Sequence, residues 1–566
     1  FYEDRNAPLV RKFSRAIFRH LEAVDVSAIA VRDRILFPQG KINIWQSPTG
    51  KLACFHSHSF SVGINPVLFE EKMQHYLTSD TDRETANNIK FDFQNRCVSP
   101  LSHKYRVGGG GFTHAILNYE KILTLGLPGY KQEIADGLNQ KPENRDFYEA
   151  VEEVLSAIML FLNRAVETLK PGELHDALLA AGERPPETFY EAMVLFNFAG
   201  YLDYLDSFGD LDVYLTPFFE RDIAADVITE AEVVELLGAF YSNVDVNDGW
   251  HMILGGKGAA PRLTELCLHA INTRRPNSGL KITPETSDAI WNQAFDAMAR
   301  HTGNPALYND TAYRKSAVEY AGVKADDLDK IAYGGCTEFM VAGKSNVGSI
   351  DSGVNLLEIL DGALGRLTSA PDFKSFLDEY KKDICREIAH CIEETQLNQQ
   401  YKALYRPQLI RSLFIDDCLA SGTEYNEGGA RYNGGVVNVV GIANTANSLY
   451  AIKQAYEGGM EMSPAELQTL MECNYSGNDA KREILRHLPK YGNNCAEVDA
   501  LANEVSELAF SEILQYKCWR GNGFYIPSVI MFVTFVPEGV NIGATPDGRM
   551  AASPIADSCG PMQGTD

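Results

Sequence analysis

Along this chain, stretches with helical periodicity alternate with short apolar runs that have the character of β-strands. Apolar residues return every three to four positions in six stretches: Leu9–Ala23, Phe147–Leu169, Ala231–Tyr241, Glu285–Arg300, Phe373–Gln399 and Val498–Gln515. Four short runs bounded by Gly, Asn or Pro are predicted to be strands: Ala306–Tyr308, Lys330–Tyr333, Val436–Val440 and Val529–Val536. Strands that alternate with amphipathic helices predict an α/β protein, built as a barrel or as a doubly wound sheet.

No low-complexity linker and no repeat of solenoid period divides the 566 residues. With 45% hydrophobic and 22% charged residues, we predict one compact folded unit covering residues 1–566. Its helix-rich part, about 1–185, is expected to pack outside a core formed by about 186–566. The chain begins at Phe1 without an initiator Met and stops at Asp566 without a closing element, so truncation at both ends is expected.

Charge and cysteine usage exclude several classes of protein. The formal net charge is -25, and the Lys and Arg residues are scattered, so binding to a nucleic-acid backbone is disfavoured. No run of about 18 apolar residues predicts a membrane-spanning helix. The 11 cysteines form no C-x2-C pair, which is typical of reduced thiols in the cytoplasm.

The segment Tyr333–Phe339, with the sequence Tyr-Gly-Gly-Cys-Thr-Glu-Phe, is the most informative one. Its two consecutive glycines permit a tight turn after a short apolar strand. In an extended segment Cys336 and Glu338 would share one face, because side chains alternate. A neighbouring carboxylate raises the pKa of a thiol, which opposes nucleophilic attack as thiolate and suits hydrogen-atom transfer by a neutral thiol. A buried structural cysteine followed by a surface glutamate is the competing interpretation.

Gly335-Cys336-Thr337-Glu338 resembles the Gly-Cys-x-Glu loop of the glycyl radical enzymes, the pyruvate formate-lyase superfamily. The ordered combination of several matching runs makes this resemblance specific, and it covers essentially the whole chain. The other matching runs are His114 with Asn118–Lys121, Asp212–Phe218, Gly429–Asn433, Gly441–Asn444 and Gly543–Arg549.

The resemblance implies a fold and a set of partners. The implied fold is an α/β barrel of ten strands, formed by two antiparallel halves of five parallel strands and ringed by helices, with the cysteine loop inside. The implied radical is stored on a glycine of a C-terminal segment that Phe1–Asp566 does not contain, and no cofactor is expected to be bound. A radical S-adenosylmethionine activating enzyme and a second copy in a homodimer are the implied protein partners.

The resemblance also implies roles for individual residues. The pyruvate-cleaving branch carries two adjacent cysteines, whereas Gly335 precedes Cys336 here, as in dehydratases and lyases. Cys336 is then expected to carry the thiyl radical, and Glu338 to act as general base toward a small polar substrate. His114 is expected to protonate a departing hydroxyl. Asp351 matches an aspartate of the diol dehydratases once a one-residue insertion is allowed.

Three further residues are expected to contact the substrate. Asp206 and Ser207 stand where family members place substrate-contacting side chains, although a helix cap explains them equally well. Phe339 replaces a common proline, and such departures mean that the substrate cannot be carried over from a relative. A glycyl radical decarboxylase, a formate acetyltransferase-like C–C lyase and a non-catalytic relative that binds a metabolite stay open as alternatives.

Two other motifs are weaker. His56 and His58 form a His-x-His pair, but no nearby ligand completes a standard set, so no catalytic metal is expected. The run Gly108–Gly111 lacks the context of a phosphate-binding loop and is predicted to be a flexible loop at the border of the pocket.

Overall fold

The structure is a computed structural model that describes most of the chain from residue 114 onward and part of the segment before it. Cys336, Asp351, His56, His58 and the run Gly108–Gly111 lie outside the described residues. The described residues are 7–24, 26, 29–32, 35–38, 114–247, 249–300, 302–334, 338–348, 352–521, 523–531, 534–562 and 564.

Helices dominate the first part of the described chain. Strands β1 (Ile29–Arg32) and β2 (Ile35–Pro38) pair antiparallel. Helix α5 (Phe189–Leu202) is buried at every residue except Glu191, because apolar side chains lie on all of its faces. The helices are α1 (Leu9–Ala23), α2 (Tyr119–Gln140), α3 (Arg145–Thr168), α4 (Glu173–Glu183) and α5 (Phe189–Leu202).

A parallel sheet follows, with its strands in sequence order. The strands are β3 (Ser207–Asp210), β4 (His251–Leu254), β5 (Asn277–Ile282) and β6 (Ala306–Asn309), and Ile116 bridges to Ser207 at the β3 edge. Successive strands are joined by helices, as right-handed parallel connections require. These helices are α6 (Leu211–Ala224), α7 (Glu230–Val246), α8 (Pro261–Ala270) and α9 (Asp288–Ala299), and α10 (Asp310–Ala321) follows β6.

A hairpin links the first sheet to a second one. Its strands β7 (Ile331–Gly334) and β8 (Glu338–Val341) pair antiparallel, and β7 contacts β3 and β4. In the second sheet β9 (Ser345–Val347) and β10 (Ser352–Asn355) pair in succession with β11 (Tyr432–Val440), which also pairs parallel with β13 (Gly523–Ser528). The short β12 (Lys517–Cys518) pairs antiparallel with the start of β13.

Helices cover the outer face of this second sheet. The longest, α12, spans 33 residues and begins at the capping residue Asp372. The helices that follow β10 are α11 (Leu356–Ala363), α12 (Phe373–Tyr405), α13 (Leu409–Phe414), α14 (Cys418–Ser421), α15 (Ile442–Glu457), α16 (Pro464–Glu472), α17 (Asp479–Arg486), α18 (Ala496–Leu514) and α19 (Phe535–Val540). Of these, α13 and α14 pack instead against the first helices of the chain.

The buried apolar residues form two clusters that share the strands of the second sheet. Val437 and Tyr525 pack with the covering helices, whereas Val436 and Phe524 pack in the cluster of the first sheet and the hairpin. Successive side chains of a strand point to opposite faces, so the inner face of the second sheet shares one core with the first sheet. The hairpin β7–β8 lies within that shared core.

The expected α/β class is confirmed. The six predicted helices are present, and most of their ends lie within a few residues of the predicted ends. Helix α7 extends five residues beyond its predicted end, and α12 extends six residues beyond its own. The strand predicted at Val529–Val536 is wrong: the strand is β13, Gly523–Ser528, and Phe535–Val540 is helical. The pairing with β11 decides this register. Pro527 argues against a strand in the sequence, yet it is tolerated because β12 pairs only with the first two residues of β13.

Candidate active site

The hairpin β7–β8 presents Glu338 inside the protein. Gly334 and Glu338 are paired Cα partners, so Gly335, Cys336 and Thr337 connect the two strands. Glu338 is only 2% exposed. A buried carboxylate is costly unless it is hydrogen-bonded or has a chemical task.

The base of the hairpin lies against the first residue of β3. A side chain at Gly334 would begin 3.4 Å from the Ser207 hydroxyl oxygen, and it would overlap Met340 Sδ. A larger residue at position 334 would therefore displace the end of the Met340 side chain. Ser207 therefore lies at the start of β3 next to the strand that leads into Cys336.

His114 contacts Asp206, the residue that precedes Ser207. The Ile116 bridge to Ser207 places His114 at the edge of the first sheet, where its Nδ1 is hydrogen-bonded to Asp206 Oδ1. The imidazole is fully buried, and its ring meets the Trp250 ring edge to face at 4.9 Å. The sequence predicted His114 and Asp206 independently, and the structure brings them together.

Asp206 is also held by an arginine that the sequence analysis missed. Arg411 Nη2 donates to Asp206 Oδ2 at 2.9 Å, and Arg411 Nε donates to Asp203 at 3.1 Å. Arg411 is the largest fully buried side chain in the described residues. It comes from α13, about 200 residues further along the chain, so no local pattern could have paired it with these carboxylates.

His251, the first residue of β4, is the second histidine of the site and was also missed. It is paired with Ser207 across the sheet, and its Nε2 lies 3.3 Å from the Tyr308 hydroxyl. Burial, and then the neighbouring His114, lower the pKa of His251 to about 3. His251 is therefore neutral in the folded protein. The apolar run Trp250–Leu254 between two glycines was a strand signal that could have located it.

Aromatic rings support the strand that leads into the loop. The Tyr308 and Tyr333 rings stack with centroids 4.1 Å apart, and the Tyr313 ring lies 4.5 Å from Tyr333. Tyr333 lies directly before Gly334 and is fully buried. Such stacked pairs fix the strand more firmly than area burial alone.

On its other side, Glu338 lines a cavity of about 560 Å³ between α10, α18 and β13. Phe339 lines the same cavity, together with Val436, Ile526 and the second acidic residue Glu507. Phe339 packs edge to face on Phe524 at 6.0 Å. The cavity is mostly apolar, so its few polar groups would orient a small molecule.

The structure thus brings His114, Asp206, Ser207, Glu338 and Phe339 to one region around the hairpin. Asp206 and Ser207 cap no helix, since α5 ends at Leu202 and Ser207 begins β3. The roles expected of Cys336 and Asp351 stay predictions.

Within the described part of the chain, no group of three or more His, Cys, Asp or Glu side chains is arranged to hold a metal ion. Nor do those residues include a helix long and apolar enough to cross a bilayer.

Comparison with known proteins gives a consistent result. The family model described as pyruvate formate lyase-like matches residues 30–539. The (2S)-3-sulfopropanediol dehydratase of Klebsiella oxytoca is 26% identical in an alignment 605 positions long, gaps included. The alignment covers 89% of this chain and 72% of that protein. The trans-4-hydroxy-L-proline dehydratase of Clostridioides difficile is 25% identical in an alignment 431 positions long, gaps included. The alignment covers 67% of this chain and 54% of that protein.

Solved structures show the same fold. The glycerol-bound B12-independent glycerol dehydratase from Clostridium butyricum superposes with a TM-score of 0.81 at 21% identity, covering 98% of this chain and 79% of that one. A structure for 1,2-propanediol dehydration in Roseburia inulinivorans superposes with a TM-score of 0.82 at 22% identity, and the superposition covers 99% of this chain and 81% of that one. The chain spans between 54% and 72% of the length of the two dehydratases matched by sequence.

Proposed function

This chain belongs to the pyruvate formate lyase-like family, and on that premise we propose that it is a glycyl radical dehydratase or lyase acting on a small polar substrate. The observation that carries the proposal is the position of the hairpin. Its strands hold a buried carboxylate, Glu338, on one side of Cys336, and the strand before Cys336 lies against Ser207 beside His114. A thiol, a base and a proton donor would therefore surround one substrate.

The chemistry assigned to these residues is an elimination. A thiyl radical at Cys336 removes a hydrogen atom from the substrate carbon that bears a hydroxyl group. Glu338 takes the proton of that hydroxyl, and the group on the neighbouring carbon leaves as His114 protonates it. The product radical then recovers the hydrogen atom from Cys336, so the thiol is restored.

Several relatives support elimination as the reaction class. Dehydratases and an isethionate sulfite-lyase are among the curated proteins that resemble this chain, with identities of 24 to 26%. An identity this low does not carry the substrate across. An indoleacetate decarboxylase also matches at 25%, so the test below includes its type of substrate.

The finer features of the family complete the proposal. We infer a ten-stranded barrel, in which the two described sheets are parts of the two halves and their shared inner core surrounds the hairpin. The unpaired electron would be supplied by a glycyl radical, which a radical S-adenosylmethionine enzyme generates. A homodimer in the cytoplasm is the proposed working state.

The test is a substrate panel with a cysteine variant. The natural full-length protein is treated anaerobically with an activating enzyme and offered diols, hydroxyproline, choline, isethionate and aryl acetates. We expect one elimination substrate, and no turnover in Cys336→Ser with unchanged circular dichroism. The control Cys385→Ser, which removes a half-buried thiol of α12, should keep the activity. Turnover by Cys336→Ser, or decarboxylation as the only reaction, would overturn the proposal.

A further inference from the structure

A single polar residue interrupts the valines at the centre of the second sheet. Asn438 stands in the middle of the run Val436–Val440 on β11, and its four neighbours in this run are all valines. Asparagine is depleted from strands, because its amide fits an apolar pleated surface poorly. A residue that breaks a local rule in this way is expected at functional positions more often than elsewhere.

Asn438 is fully buried, and its side-chain amide is unpaired. It is 0% exposed, and neither its Oδ1 nor its Nδ2 has a hydrogen-bond partner among the described residues. Within that part of the chain it is the one buried side-chain amide that is unpaired at both ends. The oxygen of such an amide accepts hydrogen bonds, and the nitrogen donates two. Burial without these bonds costs free energy, so a partner from outside the protein is the expected explanation.

The amide points to the inner face of the second sheet. Val437 and Val439 pack with the covering helices, whereas Val436 packs in the core that the two sheets share. Side chains alternate along a strand, so Asn438 lies on the inner face with Val436, about 7 Å further along β11. The hairpin β7–β8, which carries Glu338, lies in this same core.

The neighbours of Asn438 within the sheet are both small. Its Cα partners are Gly353 on β10 and Ser528 on β13. A Cβ at Gly353 would begin 2.9 Å from Asn438 Cβ, so a side chain at that position would press on Asn438. Ser528 lines the cavity that Glu338 also lines. Asn438 is therefore the polar group of β11 next to the wall of that cavity.

The candidate site residues are buried as deeply as Asn438. His114 is 0% exposed, Ser207 1% and Glu338 2%. A substrate that reaches Glu338 is therefore enclosed by the protein, and Asn438 faces the same interior. Among the described residues that line the cavity, Glu338 and Glu507 are acidic and none is basic.

The chemistry of an amide selects the kind of group that would pair with it. A hydroxyl group can accept from Nδ2 and donate to Oδ1, so it satisfies both ends of Asn438. A carboxylate or a sulfonate only accepts, and an ammonium group only donates, so each would leave one end of the amide unpaired. The acidic residues of the cavity wall also disfavour an anion.

We propose that Asn438 binds a neutral hydroxyl group of the substrate, separate from the groups that react at Cys336 and Glu338, and so selects substrates that carry this additional hydroxyl. The inference rests on the proposed function in one respect, which is that the interior around Glu338 is the substrate site. Stability and binding test it without any turnover.

The first test measures stability without a ligand. Urea unfolding of the natural full-length protein is compared with that of Asn438→Leu, which is close in size and has no polar side-chain atom. Since no hydrogen bond to the protein is lost, we expect an unfolding midpoint that is unchanged or higher. A fall in this midpoint as large as that of the control described next would show a structural partner for Asn438 and would overturn the proposal.

Asn444→Leu is the matched control. Asn444 is also 0% exposed, but its amide is bonded at both ends: Nδ2 donates to Asp547 and Oδ1 accepts from the Ala556 amide, each at 2.7 Å. Removing these bonds leaves buried partners unsatisfied, so the unfolding midpoint of Asn444→Leu should fall.

The second test measures binding by calorimetry in the full-length Cys336→Ser protein, which is not activated. The three probes are butane-1,2,4-triol, butane-1,2-diol, which lacks the third hydroxyl, and 3,4-dihydroxybutanoate, which has a carboxylate in its place. We expect the triol to bind about 10-fold or more tightly than either of the others. Adding Asn438→Leu should weaken triol binding by about 10-fold and change diol binding by less than about 2-fold.

The proposal is overturned if the triol does not bind, if the carboxylate binds more tightly, or if Asn438→Leu weakens triol and diol binding equally. Kinetics of the activated protein separate this inference from the proposed function. Binding through Asn438 without any elimination would count against the proposed function alone. Elimination with the same kcat/KM in Asn438→Leu as in the unaltered protein would refute the role of Asn438 and leave the proposed function standing.

Discussion

Gly334 and Glu338 are paired across the antiparallel strands of the β7–β8 hairpin, and three residues with Cys336 at their centre connect them. Cys336 and Glu338 are two positions apart in the sequence. Because two residues of fully extended chain span at most about 7 Å, the thiol and the carboxylate belong to neighbouring residues. The pairing also ties Gly334 and Glu338 to strands that lie within the core. Sites built on strands hold their geometry better than sites built on free loops.

Glu338→Gln should suppress elimination. The amide cannot accept the hydroxyl proton, and it is close in size to the carboxylate, so the loss falls mainly on the transition state. We expect kcat to fall by about 10²-fold or more, with a smaller change in KM. Steady-state kinetics on the substrate found in the panel measure this. Glu497→Gln, on the exposed face of α18 and outside the cavity, is the control; an unaltered kcat in Glu338→Gln would remove Glu338 from the mechanism.

Gly334→Ala should disturb the hairpin. A Cβ there would overlap the end of the Met340 side chain, so either this side chain or the strand that leads into Cys336 must give way. We expect a loss of about 1–3 kcal/mol in unfolding free energy and a strong loss of turnover. Urea unfolding and kinetics measure the two effects.

Gly238→Ala is the matched control for that variant. Gly238 lies inside α7, and a Cβ there has no neighbour within 4 Å. Alanine should stabilise the helix by about 0.4–1 kcal/mol and leave turnover unchanged. If both glycine variants behaved alike, close packing at Gly334 would not be the reason for its effect.

Stability should fall as the pH rises through the weakly acidic range. Burial raises the pKa of Glu424 to about 7 and that of Asp212 to about 6. The unfolded chain releases these protons near pH 4 to 4.5, so the folded state binds more protons at about pH 5 to 7 and loses stability there. For Glu424 the effect is on the order of 3 kcal/mol.

Urea unfolding at a series of pH values tests this with Glu424→Gln. The variant lacks one titrating carboxyl, so its unfolding free energy should depend less steeply on pH between about 5 and 7. It should also be less stable overall, since Glu424 accepts backbone hydrogen bonds from Gln408 and Asn426. An equal slope in both proteins would contradict the assigned titration.

Two buried arginines should respond in opposite ways to the same substitution. Arg520 is 2% exposed, and its Nε and Nη2 have no hydrogen-bond partner in the described chain, so Arg520→Met should be neutral or stabilising by about 1–3 kcal/mol. Arg411→Met removes the guanidinium that pairs with the buried carboxylates of Asp203 and Asp206, and it should cost about 3–5 kcal/mol. The unfolding free energies of the two variants at neutral pH test this difference. An equal loss of unfolding free energy in both variants would show that Arg520 also stabilises the fold.

Local pattern was sufficient for the six helices that the sequence predicted. Helix α1 was predicted to the residue, because an amphipathic face repeats within a few turns and needs no distant partner. The strand before Gly334 was found for a similar reason, since a short apolar run that ends at two glycines is itself a strand signal. Cys336, Glu338 and His114 were selected by their order along the chain, which is a property of the sequence alone.

The tertiary structure decided which strand pairs with which, and what surrounds His114. Gly523–Ser528 is a strand because β11 pairs with it, whereas the sequence predicted the next apolar run, Val529–Val536. Asp206 was visible in the sequence, but its partner Arg411 lies about 200 residues away, and His251 reaches the site only through the parallel pairing of β3 and β4. Hydrogen bonds and charge balance inside a core depend on distances in space, and periodicity along the chain carries no information about contacts between remote segments.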